Sequence, residues 1–370
     1  MILKRVGGLQ LKTIVVSAVN LREGGPLSIL VSLADYLATL SREKNIEIVL
    51  LVHSKKVIPI KHRKKFTIIE FPKSVRSYIY RLFYEYYFFY SISKKLSPDL
   101  WLSLHDITPR VKAKVRAVYC HNPSPFYKPK LKEFFLDPKF FLFTKFYAFL
   151  YGINIKNNNY VIVQQDWLRN EFSNKYSLDL NDIIVAYPEA EVTLTDEKIN
   201  QKSSKEKTFF YPAFPRVFKN FELICEAIKL INKLELDVEY NVVLTISGTE
   251  NSYSRDILRR YKDIPNIKFT GLLSREEVER HYQQSCCLLF PSKLETWGLP
   301  LSEAKNFNLP IIAANLPYAH ETVGGYSNVK FIDPDSPNEL AESMLDIIGG
   351  KRLGEADYKK PLQPFCSDWD

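Results

Sequence analysis

Short apolar runs alternate along this chain with stretches of helical period. Residues 13–18 read as a strand, and from Pro26 onward Leu27, Leu30, Val31, Ala34, Leu37 and Ala38 fall on one helical face. Segments 46–52, 66–71, 99–104, 115–120 and 160–164 are further strand candidates. A second series opens at 208–211 and continues through a helix over 218–234. It then sets strands at 241–247, 267–270, 287–290, 310–314 and 329–332, with helical segments near 253–261, 275–284 and 337–348. Alternation of this kind predicts parallel sheets covered by helices on both faces.

Two such series predict two Rossmann-like domains in an α/β chain, and 370 residues are long for a single core. The polar stretch after Glu189 divides them, giving an N-terminal domain over 1–190, a linker over 191–207 and a C-terminal domain over 208–350. Residues 351–370 lose periodicity and stand apart as a terminal segment. No solenoid repeat is present. The five cysteines (Cys120, Cys225, Cys286, Cys287, Cys366) are odd in number and scattered, so they predict no disulfide framework and a reducing compartment. The six histidines form no cluster with cysteine at metal-ligand spacing, so no metal site is expected. Gly7, Gly8, Gln10 and Lys12 interrupt any signal-peptide core after Lys4 and Arg5. No apolar run reaches the ~18 residues of a spanning helix. The expected location is therefore the cytoplasm. A net charge of +9 leaves nucleic acid and anionic lipid open as partners on charge alone.

Residues 290–304 carry the most chemistry. An apolar run ends in Pro291-Ser292, a turn follows with Glu295, Trp297 and Gly298, and Pro300 opens a helix with Glu303 in its first turn. Two carboxylates eight positions apart thus flank a glycine at the carboxyl end of a strand, where open α/β sheets bind ligands. Carboxylates accept strongly from sugar hydroxyls. Gly298 lets the backbone N–H groups of Trp297–Leu299 approach a ligand, and a helix N-terminus favours a phosphate. The plain alternative is a strand–loop–helix whose glutamates are a solvated face and a first-turn charge. It accounts for Glu303 but not for Pro-Ser, Trp-Gly and Pro together.

This context resembles the donor-site signature of the family 4 retaining glycosyltransferases, whose fold is GT-B: two Rossmann-like domains with parallel sheets facing an interdomain cleft. The resemblance implies that Glu303 accepts from the ribose and Glu295 from the sugar ring. It also implies that the last helix of the chain returns to the N-terminal domain, so that 362–370 would be the start or the whole of that return.

Further constellations fit the same reading. Arg216 and Lys219-Asn220 lie between a strand and a helix, and resemble the family's diphosphate clamp, although the family separates its two cations more widely. Fixed cations stabilise a departing diphosphate where its charge develops. His121, ending the strand 115–120 ahead of Asn122-Pro123, is placed by the resemblance beside the transferred sugar as a hydrogen-bonding group; the bland reading is a loop histidine. His105 and Asp106 end another strand and form a weaker candidate pair. Gly24-Gly25, before Pro26, reads either as a plain βα turn or as a loop receiving a phosphate or acceptor. Gly248 and Gly271 end strands and fit the family's base- and ribose-side loops.

Two aromatic-basic blocks remain. Residues 73–95 hold nine aromatics and five Lys/Arg, and residues 126–151 hold eleven aromatics. They read either as core helices or as a contact with a membrane surface, which would suit a lipid-linked saccharide acceptor. Nothing supports a nucleic-acid partner, since no RNP or helix-turn-helix pattern is present. The expected activity is retaining, metal-independent transfer of a sugar from a nucleotide donor to a hydroxyl acceptor in cell-surface polysaccharide or lipopolysaccharide assembly. The donor would be a substrate rather than a cofactor, and the enzyme would be peripheral on the inner face of the membrane. The competing readings are an epimerase on the same fold and a non-catalytic nucleotide-sugar- or membrane-binding protein.

Overall fold

The computed structural model describes residues 12–22, 24–188, 207–235, 237–358 and 360–366. The described residues of Met1–Phe126, Thr144–Glu189 and Pro361–Asp370 form one compact unit; those of Tyr127–Phe143 and Ala190–Lys360 form a second. The linker expected over 191–207 lies, apart from Lys207, outside the described residues.

In the first unit the strands are β1 (Thr13–Ala18), β2 (Glu47–Val52), β3 (Thr67–Glu70), β4 (Leu100–Ser103), β5 (Val115–Cys120), β6 (Tyr160–Val163), β7 (Ile183–Ala186) and β15 (Phe365–Cys366). They form a parallel sheet in the order β15-β7-β6-β5-β4-β1-β2-β3. Burial on both faces explains the unbroken apolar runs. Ile14 and Val16 pack with Leu30, Leu33, Leu37 and Ala38 of the helix Gly24–Lys44 on one side. Val15, Val49 and Trp101 pack with Phe71 and Phe89 on the other. The order reverses between β1 and β4, which makes their carboxyl ends the topological switch point.

Three features depart from the expectations. The first helix starts at Gly24, so Gly24-Gly25 forms its opening residues rather than a turn ahead of Pro26. β7 was not singled out from the sequence. The terminal segment returns to the first sheet, but as the strand β15, not a helix: Val185 N–H donates to Pro364 O at 3.0 Å and Tyr187 N–H to Cys366 O at 3.2 Å.

The block 73–95 folds as helix Tyr78–Phe83, a π-helical turn Tyr84–Phe88 and helix Phe89–Leu96. Its inner face combines the apolar Phe89 with an ion pair. Arg81 and Glu85 are fully buried, with Arg81 Nε donating to Glu85 Oε1 at 3.0 Å and Nη2 to His105 O at 2.6 Å. Ile79, Phe83 and Tyr87 face outward, 78%, 51% and 68% exposed. In the block 126–151, Tyr147, Leu150 and Tyr151 are buried while Phe146 and Phe149 are exposed, and Tyr78 meets Phe146 at 6.5 Å between ring centroids. Each block therefore has a buried face and a face with exposed apolar side chains.

The second unit contains β8 (Lys207–Tyr211), β9 (Tyr240–Leu244), β10 (Ile267–Phe269), β11 (Cys287–Phe290), β12 (Ile311–Ala314), β13 (Ser327–Ile332) and β14 (Gly354–Glu355). Their order is β10-β9-β8-β11-β12-β13-β14, parallel except for β14. Here the switch point falls between β8 and β11, paired through Cys287↔Phe209 and Leu288↔Phe210. Cys287 is fully buried, as its apolar strand predicts.

The Arg81–Glu85 pair yields a stability prediction. Arg81→Ala leaves a buried carboxylate without its cation and is expected to cost about 3–5 kcal/mol. Urea unfolding should show this, with a smaller loss for Glu85→Gln.

Candidate functional site

After β8 the chain makes a 3-10 turn over Val217–Lys219, and Asn220 reverses it at φ 58° before the helix Phe221–Asn232. Asn tolerates this left-handed backbone better than most residues. Its side-chain amide donates to Pro291 O at 3.3 Å and to Pro334 O at 2.7 Å, tying this loop to those after β11 and β13. Lys293 N–H adds a bond to Phe218 O at 2.7 Å. Between these ties the Lys219 ammonium pairs with the Glu295 carboxylate. Both side chains are mostly buried, 17% and 14% exposed. The ammonium also lies 5.7 Å from the Phe218 ring centroid and 5.8 Å from that of Phe290. Such surroundings raise the weight of each charge relative to a surface pair.

Gly298, at φ 81°, starts the helix Leu299–Asn306. A Cβ there would sit 3.1 Å from the Phe290 ring and 3.3 Å from Leu301, so the site requires glycine on both counts. Trp297 is 8% exposed, its indole N–H donates to Ser302 Oγ at 3.0 Å, and its carbonyl accepts from Thr322. Its side chain thus braces the loop. Leu299 is 43% exposed at the helix start. Glu303 accepts from Tyr282 OH at 2.8 Å and pairs with Arg275. Burial, with Glu303 beside it, pushes the Tyr282 phenol well above its ordinary value, so it stays a donor.

Arg275 was missed in the sequence. It is the first residue of the helix Arg275–Gln284, capped by Ser274 and Glu277. A cation at a helix N-terminus is unfavourable unless an anion lies near, and that signal was available.

Arg216 does not join Lys219. Its guanidinium lies 3.7 Å from Asp137 and 5.4 Å from the Phe214 ring centroid. Its backbone is extended (φ −138°, ψ 152°), whereas Val217–Lys219 turn, so the two cations diverge. Gly248 follows β9 at φ 84°, where a Cβ would strike Leu258 at 2.7 Å. The Glu250 carboxylate closes this loop by accepting from Ser247 N–H at 2.7 Å and Gly248 N–H at 3.0 Å. Gly271 follows β10 and donates to Ile246 O at 3.1 Å.

In the first unit His121 ends β5, its side chain 16% exposed. Its N–H donates to Asp106 Oδ1 at 2.7 Å, and its Nδ1 lies 3.5 Å from the same oxygen. His105 and Asp106, expected as ligand-facing candidates, are instead buried at 1% and 4% exposure. His105 Nε2 meets Ser17 Oγ at 3.0 Å and Nδ1 meets Arg81 Nη2 at 3.1 Å. Burial, then Arg81, holds its imidazole well below the ordinary value, so it is neutral packing. Gly24 and Gly25 lie at the carboxyl side of β1, where Gly25 O accepts from Ser28 Oγ at 2.7 Å. Among the described residues no three His, Cys, Asp or Glu side chains converge as a metal site would require.

Comparison with known proteins follows this geometry. Residues 192–359 match the family described as "Glycosyl transferases group 1". The O-antigen chain mannosyltransferase RfbU of Salmonella typhimurium is 21% identical over 235 residues. That match covers 63% of this chain and 60% of RfbU, so the chain spans less than two thirds of that relative's length. A glycosyltransferase from Rickettsia africae superposes with a TM-score of 0.62 at 17% identity, covering 92% of this chain and 89% of that one. HepE of Anabaena, solved in complex with UDP-glucose, superposes with a TM-score of 0.59 at 14% identity, covering 91% and 90%. At such identities the superpositions speak to fold. Residues 192–359 are thus similar to the group 1 glycosyl transferases, and the chain has the GT-B fold.

Proposed function

We propose that the protein transfers a sugar from a nucleoside-diphosphate donor to a hydroxyl acceptor with retention of configuration. The observation that carries this is the Lys219–Glu295 pair at the β8/β11 switch point. It supplies one mostly buried cation for a diphosphate and one carboxylate for sugar hydroxyls, on loops that meet. The family match over the same residues supports it. The names of the relatives, an O-antigen mannosyltransferase and a protein holding UDP-glucose, support a nucleotide-sugar donor and a role in surface polysaccharide or lipopolysaccharide assembly.

In this reading the bond from the anomeric carbon to the diphosphate oxygen breaks, and its electron pair leaves with the diphosphate. Lys219 exchanges part of its contact with Glu295 for that growing negative charge. The acceptor oxygen bonds the anomeric carbon from the face the diphosphate leaves, and the acceptor proton passes to the departing diphosphate oxygen. Glu295 accepts from the sugar ring, Glu303 from the ribose, and His121 hydrogen-bonds the transferred sugar. Backbone N–H groups at 297–299, with Gly248 and Gly271, line the nucleotide side, and Gly24-Gly25 the acceptor side. Arg216 is free to serve only if it leaves Asp137.

The outward face of 78–87 suggests where a lipid-linked acceptor would be met. The block 73–95 contains one acid, Glu85, and it is buried, so Ile79, Phe83 and Tyr87 stand among the exposed cations Lys73, Arg76, Lys94 and Lys95. That combination suits an anionic bilayer surface on the cytoplasmic side. Among the described residues no helix is long and apolar enough to cross a membrane.

Four outcomes test the proposal. A thermal-shift panel of uridine, guanosine and adenosine diphosphate sugars should contain a donor that raises the melting temperature. With that donor, Lys219→Ala and Glu295→Ala should each lower transfer by about 10²-fold or more while the protein stays folded; unchanged transfer removes the residue from the mechanism. Because Lys219 carries the diphosphate charge, excess EDTA should leave the rate unaltered. Finally, sedimentation with phosphatidylglycerol-containing vesicles should pull the protein down, and pure phosphatidylcholine vesicles should do so less. The triple change Ile79→Ser, Phe83→Ser, Tyr87→Ser should abolish the difference.

A further inference from the structure

Asp106 gathers four hydrogen-bond donors beside the loop that carries His121. Its backbone is left-handed, at φ 71°, immediately past β4. Its Oδ1 accepts from His121 N–H at 2.7 Å, Asn122 N–H at 3.2 Å and Tyr151 OH at 2.7 Å. Its Oδ2 accepts from Tyr147 OH at 3.2 Å. The two tyrosines come from the helix Pro138–Gly152 and are themselves buried, at 4% and 0% exposure. Tyr151 OH also reaches Asn122 O at 3.2 Å, closing the cluster on the loop. Asn122 Oδ1 in turn accepts from Ser124 N–H at 3.0 Å.

A carboxylate holding two successive N–H groups fixes both peptide planes of the loop, and with them the direction of the His121 side chain. His121 Nδ1 itself lies 3.5 Å from the Asp106 Oδ1 and makes no hydrogen bond to it, so the hold on the residue runs through its backbone. We infer that Asp106 is a positioning residue of the transfer reaction, setting the orientation of His121 through the four donors it gathers. This rests on the role proposed above for His121.

The test joins two measurements on the full chain. Hydrogen exchange followed by mass spectrometry reads the loop directly, whether or not transfer occurs: Asp106→Ala should speed exchange at 121–122, with the second unit unchanged. Steady-state transfer, using the donor found in the nucleotide-sugar panel, should show kcat lowered by about 10- to 100-fold with the donor KM little altered. Asp106→Asn, which keeps an oxygen for the two N–H groups, should recover part of that loss. In a His121→Ala background, Asp106→Ala should cost nothing further, because it acts through the imidazole. Unchanged exchange at 121–122 would overturn the assignment. So would a full additional loss in the His121→Ala background, or normal kcat in a variant whose loop has loosened. Should Lys219→Ala abolish transfer while Asp106→Ala leaves it intact, this inference fails and the transferase reading stands. A loop that loosens in a protein that transfers from no sugar nucleotide refutes the transferase reading, and with it the positioning role.

Discussion

The arrangement of the second unit turns on one constraint: a cation and a carboxylate separated by 76 positions must share one mostly buried volume. Parallel order supplies the proximity, since β8 and β11 are neighbours at the point where the sheet reverses direction of growth. Register supplies the depth. A one-residue slip of the Leu288↔Phe210 pairing would carry the Glu295 loop to the wrong face. Asn220 supplies the rest, because its left-handed backbone ends the 3-10 turn at Lys219 while its amide holds Pro291. Removing any of these leaves two charges without the partner that offsets their burial.

The first unit solves a related problem differently. At its own switch point the polar groups are not half-open but sealed: Ser17, Arg81, Glu85, His105 and Asp106 are all buried. A network in such a low-dielectric place is rigid only when its members are paired, and here most of them are. Rigidity behind a loop, with His121 at its front, is what positioning demands.

Much of this was readable from residue order. Parallel strands buried on both faces leave uninterrupted apolar runs, so twelve strand segments and five helical ones could be compared with the structure, and all were found within a few positions. The donor-side motif was legible because glycine, proline and carboxylate each have a backbone reason to stand where they do. Periodicity, though, reports burial and not partners. It could not show that Arg216 turns away to Asp137, nor that His105 sits under Arg81, because both depend on pairings distant in the chain. Nor could it separate Gly24-Gly25 as turn from Gly24-Gly25 as helix start, since either uses the same residues. β7 is four residues long with few flanking signals, and its edge is completed by β15, some 180 positions away.

The segment 78–96 poses the sharpest question about why this sequence was kept. An ordinary surface helix buries its apolar stripe and exposes its charges. Here Arg81 and Glu85 are inside, while Ile79, Phe83 and Tyr87 are outside. By burial alone the inverse arrangement would be at least as stable, because a buried ion pair seldom outperforms apolar side chains of similar volume. Folding stability therefore does not account for the inversion. The proposed contact with a bilayer surface would account for it, since it would remove the same apolar surface from water at a later step. The buried pair then has its own reason to exist: Arg81 spans from that outer helix to His105, next to the aspartate that holds the His121 loop.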